Sequence, residues 1–371
     1  MHTVELAKAL NITYPIIQAP MAGGIATPEL VSAVSNAGGL GSIAAGYLSP
    51  DALRTTIQET KKLTNRPFAV NLFVPSNDEI KISEEELKRA QKLLVPFYEE
   101  LKIDVPPLPT NFHEPFNELI EVVIDEQIPI VSFTFGIPQK EVITKFKQNH
   151  VFLIGTATTV KEAIEIEKAG MDAVVAQGSE AGGHRGTFSK SFEQALVGSI
   201  ALIPQVVDNV SIPVIAAGGI MDGRGMLAAE VLGASAVQLG TAFLTCEEAG
   251  TNPAHKEAIL ESFEDSTVIT NVFSGKPARG IHNYFIETMN DYENEIPPFP
   301  YQNTLTNPLR KQASKQQNIR FMSLWCGQGA RLSKKTSTKN LIQNIIQDYE
   351  TRKSNMTQNP SSTVNRHKFT F

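Results

Sequence analysis

Eight short apolar runs, each separated from the next by a segment of helical character, constrain this chain more than any other feature. They occupy residues 15–23, 39–46, 67–74, 128–136, 151–158, 172–178, 212–220 and 236–244. Each is rich in β-branched residues and continuously hydrophobic rather than alternating, the pattern of parallel strands buried on both faces. Helical segments are expected between them at 28–36, 51–63, 138–149, 160–169, 191–207 and 223–232. Several open on a capping residue or a proline and close on Gly or Asn, as 160–169 does before Gly170. Eight such repeats form either a closed (β/α)8 TIM barrel or an open doubly wound α/β sheet. Glycines decide between them. They cluster at the ends of the sixth, seventh and eighth runs, and a barrel keeps its phosphate site at the C-terminal ends of the last two strands. The expected class is α/β, a TIM barrel carrying a smaller inserted and capping α+β region.

Two stretches exceed the minimal repeat. Residues 75–127 are long for one connection and hold a charged helix (83–101), a Pro-rich link and a second helix near 115–126. Residues 245–320 mix helical and strand-like pieces with Pro297-Pro-Phe-Pro300, and read as a cap over the barrel mouth. The expected organisation is a ligand-binding barrel over 1–244 with the helical insertion 75–127, a substrate-capping region over 245–320, helices over 321–350 returning to the barrel, and a polar, patternless tail over 351–371. A chain of 371 residues, 42% of them hydrophobic, has enough apolar mass for one large domain and a smaller one.

A formal net charge of −6 gives no footprint for nucleic acid or an anionic membrane, yet leaves room for a small anionic substrate held by a local site. Two cysteines, Cys246 and Cys326, are too few for a disulfide framework and form no metal-binding pair, so no metal is expected. Neither a signal peptide nor an apolar stretch of about 20 residues is visible, and a cytoplasmic enzyme is expected, as monomer or homodimer.

Chemistry concentrates at the strand ends. Ile215-Ala-Ala-Gly-Gly-Ile220, followed by Asp222-Gly-Arg-Gly225, is a strand that ends in two glycines and opens a helix, and so can present backbone N–H groups to an anion. The next strand ends Gln238-Leu-Gly-Thr241, adding another close backbone approach and a hydroxyl. These glycines serve either a phosphate or the relief of crowding at the rim. Gln177-Gly-Ser-Glu-Ala-Gly-Gly-His-Arg-Gly186 is a loop able to hug a flat ligand, with His184 directed to the same mouth. An imidazole there can take a proton from carbon, or pair as a cation with an anionic substrate. Arg185 and Glu180 serve either the site or a rim salt bridge. Gln18-Ala-Pro-Met-Ala-Gly-Gly24 brings small residues to the first strand end. Asn71, an amide inside an apolar strand, needs a partner, either a protein group or a ring with donors and acceptors such as a flavin. The other histidines (His2, His113, His150, His255, His282 and His367) read as structural. Gly39-Leu-Gly-Ser-Ile-Ala44 mimics a dinucleotide fingerprint but begins a strand instead of following one.

In combination, Gln18-Ala-Pro-Met-Ala-Gly, Asn71, Ser132-Phe-Thr-Phe-Gly136, the 177–186 loop, Ala216-Ala-Gly-Gly-Ile220, Gln238-Leu-Gly-Thr241 and Ser323-Leu-Trp-Cys-Gly-Gln-Gly329 resemble the nitronate monooxygenases. The resemblance implies an FMN cofactor and the oxidation of alkyl nitronates by O2 to a carbonyl compound and nitrite, without NAD(P)H. Propionate 3-nitronate is the substrate it suggests. It implies FMN contacts from Asn71, Gln177, Gly182, Gly183, Gly218, Gly219, Gln238, Leu239, Gly240 and Thr241, with Met21 and Ala22 beside the ring. His184 matches the family's catalytic histidine, and Tyr301, Trp325 and Gln328 are expected in the substrate pocket. Related FMN barrels that use a nicotinamide donor, the enoyl-acyl-carrier-protein and quinone reductases, are the competing reading. A flavin-free sugar-phosphate barrel and a non-catalytic flavin-binding protein are two more.

Overall fold

The computed structural model describes residues 2–75, 82–110, 112 and 115–358. Its strands, in chain order, are β1 (Ile16–Gln18), β2 (Gly41–Ala44), β3 (Phe68–Phe73), β4 (Ile130–Thr134), β5 (Phe152–Ala157), β6 (Ala173–Gln177), β7 (Gly183–His184), β8 (Val214–Ala217), β9 (Ala236–Leu239), β10 (Thr267–Thr270) and β11 (Ala278–Ile281). All except β7, β10 and β11 form one parallel sheet in the order β1-β9-β8-β6-β5-β4-β3-β2. Its ends meet: Ile17 bridges Leu40, and the Gln18 and Leu40 N–H groups donate to Leu40 and Ile16 carbonyls at 2.9 Å. The sheet is thereby a barrel. Among the described residues, no helix is long and apolar enough to cross a membrane.

Each strand serves two cores because successive side chains face opposite sides. On β6, Val174 and Ala176 join the large cluster between strands and helices, while Ala173 and Val175 fill the barrel interior. Leu6, within the N-terminal helix His2–Ala9, and Leu10 just beyond that helix join the interior cluster and close one end of the barrel. The same alternation sets the other end. Asn71 follows Ala69 on the inward face of β3, Gln177 follows Val175 on β6, and Gln238 follows Ala236 on β9.

The long connection divides. Helix Phe116–Asp125 packs into the barrel cluster through Leu119, Ile120, Val122 and Val123. Helix Glu84–Glu100, opened by a reciprocal Ser83–Glu86 capping box, instead shares a second apolar core with residues 272–324. There Leu94 and Phe97 meet Phe273, Phe285, Leu305 and Phe321, and the Tyr98 hydroxyl donates to the Leu305 carbonyl at 2.9 Å. Helix Glu84–Glu100 and the cap therefore form one lobe with its own core. Its antiparallel sheet, β10-β11-β7, borrows β7 from the glycine-rich loop of the barrel.

Three details depart from the sequence pattern. Thr241–Leu244, read as strand, is a short helical turn. Within 321–350 there is one long helix, which begins at Thr338, rather than several. That helix continues to Gln358, through residues assigned to a structureless tail; residues 359–371 lie outside the described residues. Tyr349 and Lys353 reach Glu230 at 2.6 and 2.7 Å, and Ile342 and Ile345 pack into the barrel cluster. Polarity beyond residue 350 is that of a solvated helix face.

Candidate active site

A cavity of about 820 Å³ opens at the C-terminal ends of the barrel strands and under the second lobe. Inward alternation brings Asn71, Ser132, Thr134, Thr156, Gln177 and Gln238 to its floor. Asn71 Nδ2 donates to Ser132 Oγ at 2.9 Å and to Thr134 Oγ1 at 3.1 Å. Its Oδ1 is buried with no hydrogen-bond partner. Such an orphan acceptor costs about 1–3 kcal/mol unless a ligand donates to it.

One wall is made by the backbone. Gly218 and Gly219 have φ of +115° and +70°, conformations that side-chain-bearing residues resist, and both line the cavity beside Gly240 and Thr241. The turn Thr241–Leu244 opens at that point, so its first N–H groups lack intrahelical partners. Gly182 lies so close to the 326–327 backbone that a Cβ there would sit 2.4 Å from Cys326 C and Gly327 N. The Gly327 N–H donates to Thr241 Oγ1 at 2.8 Å, and the Gln328 N–H to the Glu180 carbonyl at 3.0 Å. The loops after β6 and β9 and the 323–329 segment are thereby locked together.

His184 lines the opposite side. Its backbone belongs to β7, paired with Ala278 of β11, so the second lobe holds it. Its ring lies 5.6–6.4 Å, centroid to centroid, from those of Phe135, Phe299 and Trp325. Phe135 is itself in the left-handed region (φ 76°), a strained conformation for a bulky residue. Burial among these rings, then the charges of Lys276 and Arg310, pull the imidazole pKa down to about 3. The ring is neutral at physiological pH. That corrects the expectation of a cationic partner for an anion: the positive charge comes from residues the sequence pattern did not single out. Lys276 Nζ sits 4.5 Å from the centroid of the Phe135 ring, and Arg310 lines the cavity, anchored to Thr306 Oγ1 and to the carbonyl and side chain of Asn303. Lys311 lines it too, and no Asp or Glu does among the described residues.

Met21, Ala22, Gly183 and Trp325 also line the cavity, whereas Leu239, Tyr301 and Gln328 do not. Leu239 faces outward into the strand–helix core, because it is one residue off the inward register of Gln238. Tyr301 packs on Phe112 at 4.5 Å within the second lobe, and the Gln328 side chain is exposed. Among the described residues, neither Glu180 nor Arg185 makes a rim salt bridge. Glu180 accepts from the Ser199 N–H and hydroxyl at the start of a helix. Arg185, 1% exposed, donates to the Gly178, Gln177 and Ala195 carbonyls at 2.5, 3.0 and 3.1 Å. It shapes the loop from behind. His255, read as structural, lines the cavity with its Nε2 buried and without a partner. His113 and His367 lie outside the described residues.

The cavity can thus take a planar ligand with a donor for Asn71, an anionic group against glycine backbone, and a small anion near His184. A family model described as nitronate monooxygenase matches residues 5–348. A probable nitronate monooxygenase of Staphylococcus saprophyticus is 53% identical over 346 residues, 93% of this chain and 97% of that one. Among solved structures, a nitroalkane oxidase from Streptomyces ansochromogenes superposes with a TM-score of 0.87 at 37% identity, covering 94% of this chain and 99% of its own. FabK from Thermotoga maritima gives 0.75 at 31%, covering 95% and 98%.

Proposed function

The chain belongs to the nitronate monooxygenase family, and we propose that it binds FMN at the barrel mouth and oxidises small anionic nitronates, propionate 3-nitronate among them, with O2 to a carbonyl compound and nitrite. It is an oxidoreductase, and the family's enzymes are flavoenzymes. The observation that carries the FMN assignment is the buried, unpartnered Oδ1 of Asn71, a residue in the lining of a cavity large enough for such a ligand. A ring N–H would satisfy it. The amides of Gln177 and Gln238 are available to the ring's polar edge, Met21 and Ala22 to its apolar side, and the backbone of Gly182, Gly183, Gly218, Gly219, Gly240 and Thr241 to the cofactor's polar groups, the phosphate falling to the last four. When bound, FMN supplies redox chemistry between substrate and O2.

The protein's own residues do the rest. Arg310 and Lys311, in the cavity lining, hold the nitronate as an anion, with the charge of Lys276 behind Phe135, and the lining carries no carboxylate among the described residues. Phe135, Phe299 and Trp325 exclude water around the reacting carbon. The neutral His184 takes the α-proton when the substrate arrives as a nitroalkane, and has no proton to remove when it arrives as a nitronate.

The purified protein should be yellow, and anaerobic propionate 3-nitronate should bleach its flavin absorbance. Bleaching by NADH together with indifference to nitronate would overturn the proposal in favour of a reductase. The reductase is the less supported reading, since the family match and the nitroalkane oxidase likeness concern nitro compounds and their nitronates. A colourless protein that takes up no FMN would favour the sugar-phosphate barrel.

A further inference from the structure

Ser274 lies on the turn between β10 and β11, on the second lobe, and its hydroxyl oxygen is 2.9 Å from His184 Nε2. A serine hydroxyl has one proton to give. The Lys276 carbonyl, which can only accept, lies 3.0 Å from Ser274 Oγ and takes that proton, while the Lys276 N–H donates to the same oxygen at 3.3 Å. With its proton on the carbonyl, the oxygen is left to accept from the imidazole. A neutral imidazole has one N–H, so if Nε2 donates to Ser274, Nδ1 carries the lone pair. Among the described residues Nδ1 makes no hydrogen bond and is not fully buried, so it is open to the cavity that His184 lines.

We propose that Ser274 is a positioning residue that holds His184 in the Nε2–H tautomer and makes Nδ1 the atom that receives the substrate proton. The proposal rests on the reading of His184 as the base for neutral nitroalkanes. In that step the α C–H bond breaks and an N–H bond forms at Nδ1. The electron pair from carbon becomes the C=N bond of the nitronate, whose negative charge rests on its oxygens. The resulting imidazolium keeps its Nε2–H on Ser274. The other tautomer would aim an N–H at the cavity, suited to gripping an anion and unable to accept a proton from carbon.

The tautomer is observable without turnover. In the flavin-loaded protein labelled with 15N-histidine, the His184 signals, identified by their absence in His184→Asn, should show a protonated-type Nε2 and an unprotonated-type Nδ1 at pH 7. A proton on Nδ1 overturns the proposal, whatever the activity. Kinetics gives the second arm. Ser274→Ala should lower kcat/KM for nitroethane by on the order of 10²-fold, the scale of a misplaced catalytic group. The loss on pre-formed ethyl nitronate should be much smaller, and Ser274→Thr, which keeps the hydroxyl, should recover most of it. Equal losses on both substrates would reduce Ser274 to a structural role and overturn the proposal. Should the alanine variant fail to fold, the spectrum of the unmutated protein still decides. Absence of nitrite from any nitronate would instead sink the functional reading, leaving the tautomer result standing.

Discussion

Replacing Asn71 with leucine separates what this side chain does for the fold from what it does for a ligand. In the ligand-free protein the amide makes two neutral hydrogen bonds, to Ser132 Oγ and Thr134 Oγ1, and leaves its buried Oδ1 unpaired. The two bonds contribute about 1–3 kcal/mol together, and the orphan oxygen costs a similar about 1–3 kcal/mol. Leucine removes all three terms, which oppose one another, so the apoprotein's unfolding free energy should change by no more than about 2 kcal/mol in either direction. The holoprotein behaves differently, because the flavin donor loses its acceptor on burial. Losing that bond should weaken FMN binding by about 1–3 kcal/mol, which is about 5- to 150-fold in Kd. Urea unfolding of the apoprotein and quenching of flavin fluorescence on titration measure the two quantities. An FMN Kd within twofold of the original, with the apoprotein destabilised by several kcal/mol, would refute the reasoning and make Asn71 a structural amide.

Three further outcomes follow from the geometry. His184→Asn should cut turnover of neutral nitroalkanes by about 10²–10⁴-fold, the range for a lost general base, with far less effect on pre-ionised nitronates; comparable losses on both would remove the base from the mechanism. Burial lowers the pKa of His184 to about 3 and of His255 to about 4, below the ordinary value of 6.5, so unfolding takes up protons between those limits. Stability is therefore full above about pH 6.5 and falls as pH drops towards 4, each histidine contributing at most about 1.4 kcal/mol per pH unit; a urea series at pH 7, 6 and 5 on the parent and on His255→Gln should show the smaller slope in the variant. Arg185→Met strands three buried carbonyls and should destabilise the protein by about 3 kcal/mol or more; a change under about 1 kcal/mol would mean that the loop after β6 is held by other contacts.

Most of the barrel is legible along the chain because each strand reports its own burial. The run 172–178 encloses Ala173–Gln177, and the expected helix at 28–36 is Pro28–Asn36 as observed. The polar residues that interrupt apolar strands, Asn71 and Gln238, mark the inward register at the mouth. Leu239 shows the limit of reading by motif. It sits inside a functional string, yet the pleat turns it away from the cavity. Lys276 and Arg310 carry no local sign of function, being ordinary basic residues in a region of irregular pattern. His255 stands in a helix with nothing beside it in the sequence to tell it from the other histidines.

The sequence by itself determined the eightfold repeat, the strand ends where glycines gather, and the loop that carries His184, because hydrophobic period and glycine placement are properties of neighbouring residues. Tertiary structure alone decided three things. It joined helix Glu84–Glu100 to residues 272–324 in a second core, and it paired β7 with β11 across about 90 residues of chain. It also set His184's protonation, through three aromatic rings, two cations and one serine drawn from distant segments. Desolvation and hydrogen-bond direction depend on what surrounds an atom in space. For an imidazole at the meeting point of two lobes, those surroundings exist only once both have folded.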